Sequence, residues 1–341
     1  MKKITTLFVS FKPLVFSTLI GLCIVFNSCN ILNPPGGNNV QKVEGIYYFN
    51  INNNVLKKLS DLSYFFSVAG NYVIESNGKL TAMNTDGTNI HNLLPNDLST
   101  YDYSISPDKS EIAFSTKPNI YVLNINTDKI IKINIPDSII SKQNPSISFD
   151  NNKIVFIGDS SIYEINVDGS NLKKLKSKLN GEKEYMNPVF SADDKDIIYE
   201  TYVGSSGGHF LDLHLFDLTN QNDTAFFNID KNISPIYEIS PQNRFLISFS
   251  YGDIYQINLD NLSDIQNNTI GSFANYSLDF SKITYTRSDS NNIIQVIDSS
   301  FNKLEEIDIK LPNVRNIGIG NSILLGGGKS IIFSLDGEIL N

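Results

Sequence analysis

After about residue 43 the chain alternates apolar and polar residues in short runs that are separated by turns. Two stretches show the pattern clearly, Gly45–Leu59 (GIYYFNINNNVLKKL) and Ser161–Leu175 (SIYEINVDGSNLKKL). The alternation on each side of the turn has the period of a half-buried β-strand. Asp168-Gly169 is typical of a hairpin turn, because glycine tolerates the positive φ that such turns require. Both stretches are therefore predicted to be β-hairpins, and Asp86-Gly87 marks another.

A second kind of hairpin alternates with the first, and its turn is at Ser106-Pro107-Asp108 or the equivalent of this Ser-Pro-Asp sequence in the other copies. The copies are Tyr103–Phe114 (YSISPDKSEIAF), Asn144–Phe156, Asn187–Tyr199, Tyr237–Ile247 and Ala274–Tyr285. Two hairpins in each period of about 40 residues make a four-stranded sheet. One such sheet cannot bury both of its faces, but sheets stacked around an axis can. The repeat predicts an all-β fold, a β-propeller of four-stranded blades.

The number of blades depends on how the ends of the chain are used. We count seven hairpins of the Ser-Pro-Asp kind and eight of the Asp-Gly kind, including residues 45–59 at one end and 330–340 at the other. The simplest closure pairs the N-terminal segment with an incomplete last blade around 313–340, which leaves no open edge. This closure predicts seven blades, and eight blades are the alternative.

The repeat resembles that of TolB-like β-propellers. The resemblance lies in Ser106-Pro107-Asp108 followed by Ile112-Ala-Phe114, then Ile120-Tyr-Val-Leu-Asn124 and a turn, and it covers nearly everything from residue 43 to 341. TolB-like proteins bind partners in envelope assemblies, so the resemblance implies a binding role. Propellers host many activities, and the repeat therefore specifies the fold better than the function.

The N-terminus resembles a bacterial lipoprotein signal. Lys2 and Lys3 precede a nearly apolar run from Leu14 to Phe26, which is too short to span a bilayer and has the length of a signal-peptide core. Ser28-Cys29 then resembles a lipobox, with Phe26 in place of the usual leucine, as in Bacteroidetes-like bacteria. We predict a signal peptide over 1–28, lipidation of Cys29, a flexible tether over 29–42 and a propeller over 43–341. The alternatives are a secretory signal followed by an ordinary Cys29, or an uncleaved anchor.

Charge and cysteine content narrow the possible partners. The chain has 27 basic and 36 acidic residues, and cleavage after Ser28 removes three lysines and no acid, which brings the net charge to −12. This balance argues against binding nucleic acid. Of the two cysteines, Cys23 lies in the signal peptide, so the mature chain can form no internal disulfide.

We expect a monomer without a cofactor.

The residues that could carry chemistry are few. His91, His209 and His214 are the only histidines, and His209 and His214 are placed across a hairpin without metal-ligand spacing. Gly204-Ser-Ser-Gly-Gly208 fits Gly-x-Ser-x-Gly, but a nucleophile elbow needs a strand before it and a helix after it. We therefore predict neither catalytic residues nor a metal site.

One loop is the sequence-based candidate for a contact site. The segment from Tyr202 to Leu211 is longer than its counterparts in the other repeats, and the alternative interpretation is a tolerated insertion. Its candidate contact residues are Gly204, Gly207, Gly208 and His209.

These observations favour a lipid-anchored envelope protein, in the outer membrane and facing the periplasm, whose propeller is a non-enzymatic binding or scaffolding module. The expected partner is a protein or a glycan. The alternative is a glycan-active lyase or hydrolase with its site at the propeller channel.

Overall fold

A computed structural model describes residues 42–339, apart from 62–65, 77, 101, 117, 178–182, 206–207, 230–235, 250–251, 269–270, 288, 312–313 and 326–327. The predicted signal peptide, Cys29 and nearly all of the tether lie outside the described residues. The regular elements described are 28 β-strands, which form seven four-stranded antiparallel sheets. The sheets form a ring, so the predicted seven-bladed β-propeller is confirmed.

Blades 1 to 6 are built from consecutive strands. Blade 1 has β3 (Phe66–Ala69), β4 (Tyr72–Ser76), β5 (Leu80–Asn84) and β6 (His91–Asn92). Blade 2 has β7 (Asp102–Ile105), β8 (Glu111–Ser115), β9 (Ile120–Asn124) and β10 (Lys129–Lys132). Blade 3 has β11 (Lys142–Ile147), β12 (Lys153–Gly158), β13 (Ser161–Asn166) and β14 (Lys173–Lys176). Blade 4 has β15 (Lys183–Phe190), β16 (Asp196–Ser205), β17 (Gly208–Asp217) and β18 (Asp223–Ile229). Blade 5 has β19 (Ile236–Ile239), β20 (Arg244–Ser248), β21 (Ile254–Asn258) and β22 (Ile265–Asn268). Blade 6 has β23 (Gly271–Tyr276), β24 (Lys282–Arg287), β25 (Ser290–Asp298) and β26 (Lys303–Asp308).

Blade 7 closes the ring by joining the two ends of the described chain. Its strands are β27 (Val314–Leu324), β28 (Ser330–Ile339), β1 (Lys42–Asn50) and β2 (Val55–Ser60), in the order β27-β28-β1-β2. The β1–β28 ladder runs from Lys42 opposite Glu338 to Asn50 opposite Ser330. The predicted closure of the N-terminal segment on the last blade is thus confirmed.

The expected hairpin over residues 330–340 is wrong. Residues Ser330–Ile339 form one continuous strand, and Asp336-Gly337 pairs with Glu44 and Val43 instead of turning. The reason lies in the closure, because β1 occupies the place that the second arm of this hairpin would take.

The core lies between the blades. Along the second strand of blade 2, Ile112 and Phe114 pack towards blade 1, whereas Ala113 between them packs towards blade 3. The other blades repeat this arrangement, so both faces of each sheet are buried and alternate residues serve different neighbours. This explains why the second strands are mostly apolar at their central positions, as in Ile112-Ala-Phe114 and Phe245-Leu-Ile247.

Asparagine and aspartate are used in the turns for their backbone conformation. Sixteen described residues other than glycine have positive φ, and ten of them are Asn or Asp, including Asn171 and Asp128. These residue types tolerate the left-handed region better than others. In the blade 2 turn, which is one residue longer, Asp128 (φ 55°) takes the left-handed conformation that Gly87 (φ 78°) and Gly169 (φ 84°) take in their turns.

Replacing Gly169 by alanine is expected to lower the free energy of unfolding by about 1–2 kcal/mol, since a Cβ is disfavoured at positive φ. The new Cβ would also lie 3.1 Å from the Cβ of Asn134. Urea denaturation monitored by circular dichroism measures the change. The control is Lys173→Ala, an exposed position on β14, which should change stability by less than about 0.5 kcal/mol. Equal losses in the two variants would contradict the turn argument.

Candidate functional site

The first strand of each blade lines a central channel. The described residues form a cavity at the end of this channel where the Ser-Pro-Asp turns lie, and all seven blades contribute to its wall. The wall is mostly apolar and includes Phe66, Val68, Phe149, Phe190, Phe280 and Ile323. This cavity, which we call the channel mouth, is the candidate functional site.

One ion pair crosses the channel mouth. Lys109 lies in the first hairpin turn of blade 2, and Glu238 lies on β19 of blade 5. The Lys109 Nζ is 4.0 Å from the Glu238 Oε1, and each side chain is 23% exposed. The Lys109 Nζ also lies 5.4 Å from the centre of the Phe280 ring in blade 6. The pair therefore reaches across the ring from one side to the other.

Burial in the channel raises the pKa of the Glu238 carboxyl, and the nearby Lys109 charge and a backbone N–H oppose this shift. That N–H belongs to Tyr276 and donates to Glu238 Oε2 at 2.8 Å. Glu238 therefore also connects the first strands of blades 5 and 6, which fixes the position of its carboxylate.

The aspartate side chains in the turns around the channel mouth accept hydrogen bonds from residues of their own turns. In blade 2, Ser106 Oγ donates to Asp108 Oδ1 at 2.6 Å, and the Ser110 N–H donates to the same oxygen at 3.0 Å. Burial would raise the pKa of Asp108, but these hydrogen bonds and one from Asn151 outweigh it and lower the pKa. The same hydrogen bond from a serine hydroxyl to an aspartate recurs at Ser148-x-Asp150, Ser191-x-Asp193 and Ser277-x-Asp279. The conspicuous Ser-Pro-Asp motif is therefore a structural element of the turn.

The predicted contact segment, Tyr202 to Leu211, is an extension of strands β16 and β17 of blade 4. Gly204 pairs with His209, and Ser205 with Gly208, so β16 and β17 extend as a ladder well past the ends of the neighbouring hairpins. Gly207 lies outside the described residues. This hairpin lies at the end of blade 4 opposite to the channel mouth, so the predicted residues are not part of that cavity. Their contact role stays a prediction.

The histidines lie away from the channel. His209 and His214 are both on β17, not across a hairpin as the sequence suggested. His214 Nδ1 is 3.2 Å from Asp223 Oδ1, and its Nε2 is 3.3 Å from Thr201 Oγ1. The side chains of Asp223, His214 and Thr201 are connected in the order of a catalytic triad. Thr201 is only 5% exposed, however, and cannot contact a substrate. Asp223 also accepts from Lys176 of blade 3 at 2.6 Å, so the cluster connects two blades.

A second buried carboxylate lies between blades 4 and 5. Glu200 on β16 is 2% exposed and accepts a hydrogen bond from Asn187 Nδ2 at 2.6 Å. Tyr237 faces it from blade 5, and within the described part of the chain its buried hydroxyl makes no hydrogen bond of good geometry, although it contacts Glu200. Desolvation raises the pKa of Glu200 to about 7, even though Asn187 acts in the opposite direction.

Sequence reasoning missed Lys109, Glu238 and Glu200. A usable signal existed for the two glutamates, since each is a charged residue at a repeat position that carries an uncharged one in other blades. The position of Glu238 is held by Ser104 in blade 2 and Ser146 in blade 3. The position of Glu200 is held by Ser115, Ser248 and Thr286 in blades 2, 5 and 6. Lys109 gave no such signal, because lysine is ordinary in an exposed turn.

Two general features bear on the site. Within the described part of the chain, no group of three or more His, Cys, Asp or Glu residues is placed to hold a metal ion. The same residues contain no helix long and apolar enough to cross a membrane.

Comparison with known proteins supports the fold. No protein-family model matches the chain, and no curated protein matches it. Among solved structures, hydrazine synthase of Kuenenia stuttgartiensis is 13% identical, with a TM-score of 0.55 over 75% of this chain and 90% of that one. An oligogalacturonate lyase in complex with manganese is 11% identical, with a TM-score of 0.53 over 88% and 86% of the two chains. At these identities the likeness concerns the fold alone.

The structural neighbours also include TolB from Acinetobacter baumannii. It is 13% identical, and the match covers 86% of this chain and 63% of that one, with a TM-score of 0.46. A match at this level supports nothing beyond the likeness itself. The chain is a seven-bladed β-propeller that has TolB proteins among its structural neighbours.

Proposed function

We propose that the chain is a lipid-anchored protein of the cell envelope, in the outer membrane and facing the periplasm, and that its propeller is a non-enzymatic binding module for a protein partner. The observation that carries this proposal is the composition of the channel mouth. An apolar cavity with one cross-channel ion pair suits an inserted side chain, because such a pocket buries apolar surface and orients the guest with a few polar groups.

The chemistry of the same cavity supports binding over turnover. General acid–base catalysis needs groups that can both give and take a proton at the reacting atoms. In the channel mouth one carboxylate oxygen of Glu238 accepts the Tyr276 N–H, and the Lys109 ammonium lies 4.0 Å from the other, so the carboxylate is paired with a cation in the free chain. The turn aspartates are engaged by their own serines.

The binding role is tested by photo-crosslinking in cells. A photoreactive amino acid is placed at Leu278, which lines the channel mouth, or at Leu304, which is exposed on the outer strand of blade 6. We expect a discrete crosslinked protein from position 278 and none from position 304. No product from position 278, together with turnover of a panel of glycans by the purified chain, would favour the lyase or hydrolase.

The anchor is tested by Cys29→Ala. We expect nearly all of the protein to leave the membrane fraction, since the lipid on this cysteine is the proposed attachment. Globomycin, which blocks lipoprotein signal peptidase, should leave the wild-type precursor uncleaved. Cys23→Ala is the matched control and should stay in the membrane fraction. Unchanged processing and location of the Cys29→Ala variant would contradict the anchor.

A further inference from the structure

We propose that the channel mouth binds the side-chain ammonium of a lysine on a protein partner, in the place that Lys109 holds in the free chain. This inference rests on the proposed binding function and deepens it by naming the group that is recognised. Lys109 is then an internal stand-in for the ligand, and binding displaces it.

Glu238 is the fixed member of the pair. It lies in the β19–β20 ladder opposite Leu246, and its Oε2 accepts the Tyr276 N–H at 2.8 Å. Its Oε1 lines the channel mouth, with the Lys109 Nζ at 4.0 Å, which is beyond hydrogen-bonding distance. The carboxylate therefore presents one oxygen to the cavity whose interaction with a cation can still improve.

Lys109 is the displaceable member. Its backbone is in a turn with φ 64°, and its side chain must reach across the channel from blade 2 to blade 5. Its stem is flexible, and among the described residues its charge contacts this loose partner and the face of Phe280, at 5.4 Å. A lysine side chain has several rotatable bonds and can leave for solvent at little cost.

The geometry favours an incoming ammonium over the other charged groups of proteins. An amine that enters along the channel axis can approach Glu238 Oε1 to hydrogen-bonding distance, which makes a stronger, charge-assisted contact. It also keeps the attraction of the Phe280 ring. The apolar wall suits the methylene stem of a lysine. An arginine fits less well, because its bidentate fork needs both carboxylate oxygens and Oε2 is already taken by Tyr276.

The charge of the chain acts in the same direction. With a net charge of −12 after the predicted cleavage, the protein attracts basic partners and repels acidic ones over several ångströms. An acidic ligand would instead have to pair with Lys109 and would leave Glu238 buried without its cation, which is costly.

The test measures fluorescence anisotropy of labelled, capped pentapeptides with a central lysine, norleucine or arginine, titrated with the full-length protein in detergent. Norleucine keeps the apolar stem and lacks the charge. We expect the lysine peptide to bind at least about tenfold more tightly than the norleucine peptide. Lys109→Ala should tighten lysine-peptide binding, because it removes the internal competitor. Glu238→Gln should weaken it about tenfold or more.

Equal binding of the lysine and norleucine peptides to the wild type would overturn the proposal, and this comparison needs no variant that might misfold. Loss of binding in Lys109→Ala would also overturn it and would point to an acidic ligand. Glu305→Gln, on the outer strand of blade 6, is the control and should leave the affinity unchanged. If position 278 still crosslinks a partner while the peptides fail, the binding function stands and the lysine assignment is wrong.

Discussion

Replacing Phe333 by alanine should lower the free energy of unfolding by about 3–5 kcal/mol, the range typical of a large aromatic side chain removed from a core. Phe333 lies in the middle of β28 and is fully buried between blades 6 and 7. Its ring stacks on Tyr47 of β1, with centroids 6.0 Å apart. The cavity would therefore weaken both the packing of blade 7 on blade 6 and the seam that joins the two ends of the described chain.

The measurement is urea denaturation followed by circular dichroism, with Leu304→Ala as the matched control. Leu304 is 51% exposed on β26 of the neighbouring blade, and its truncation should cost less than about 0.5 kcal/mol. A small loss in Phe333→Ala would mean that blade 7 contributes little to the closed ring. A loss of cooperativity would show that the ring opens at the seam before the other blades unfold.

Replacing Glu200 by glutamine should stabilise the protein at alkaline pH and leave it nearly unchanged at acidic pH. The pKa of Glu200 in the folded protein is about 7, against an ordinary glutamate value of about 4.3 in the unfolded chain. The pKa of Glu200 is higher in the folded protein than in the unfolded chain. Its contribution to the free energy of unfolding is therefore fully present below the ordinary pKa and is lost as the pH rises through about 7. Between about pH 5 and pH 8.5 the wild type should therefore lose roughly 2–3 kcal/mol, and the variant should not.

The experiment compares unfolding of both proteins at about pH 5, 7 and 8.5. Glutamine keeps a carbonyl that can accept from Asn187 Nδ2, so the hydrogen bond between β15 and β16 within blade 4 is retained. The control is Asp86→Asn on an exposed turn, where hydrogen bonds from Thr88 lower the pKa of the aspartate. Its effect should be the same at all three pH values, which lie above that pKa. A pH-independent effect of Glu200→Gln would show that the carboxylate is charged and well solvated in the fold.

Much of the fold could be predicted from the sequence because a propeller repeats its local signals. The Asp168-Gly169 and Ser106-Pro107-Asp108 turns each bound strands with period-two alternation, and the spare hairpin at residues 45–59 predicted the seam. The prediction was wrong for Asp336-Gly337, where a good turn sequence lies inside a strand. Local chemistry favours a turn there, but the pairing with β1 prevails because it completes the sheet.

The candidate site was less predictable, for a physical reason. Lys109 and Glu238 come from blades on opposite sides of the channel, and nothing in their local sequences indicates that they meet. Glu200 is surrounded by an apolar strand, where a buried charge contradicts the pattern that identifies the strand. The segment that contains Gly204 and Gly208 looked like a loop by composition, yet both residues belong to the ladder of β16 and β17.

The register of β1 also bears on how the propeller is oriented. Lys42 pairs with Glu338, at the end of blade 7 away from the Ser-Pro-Asp turns, so the chain enters the propeller on the side opposite to the channel mouth. If Cys29 carries the proposed lipid, the tether of about thirteen residues between it and β1 spans at most about 45 Å when fully extended. The lipid attachment and the channel mouth are then at opposite ends of the propeller. A partner bound at this opening therefore does not compete with the tether for the same side of the ring.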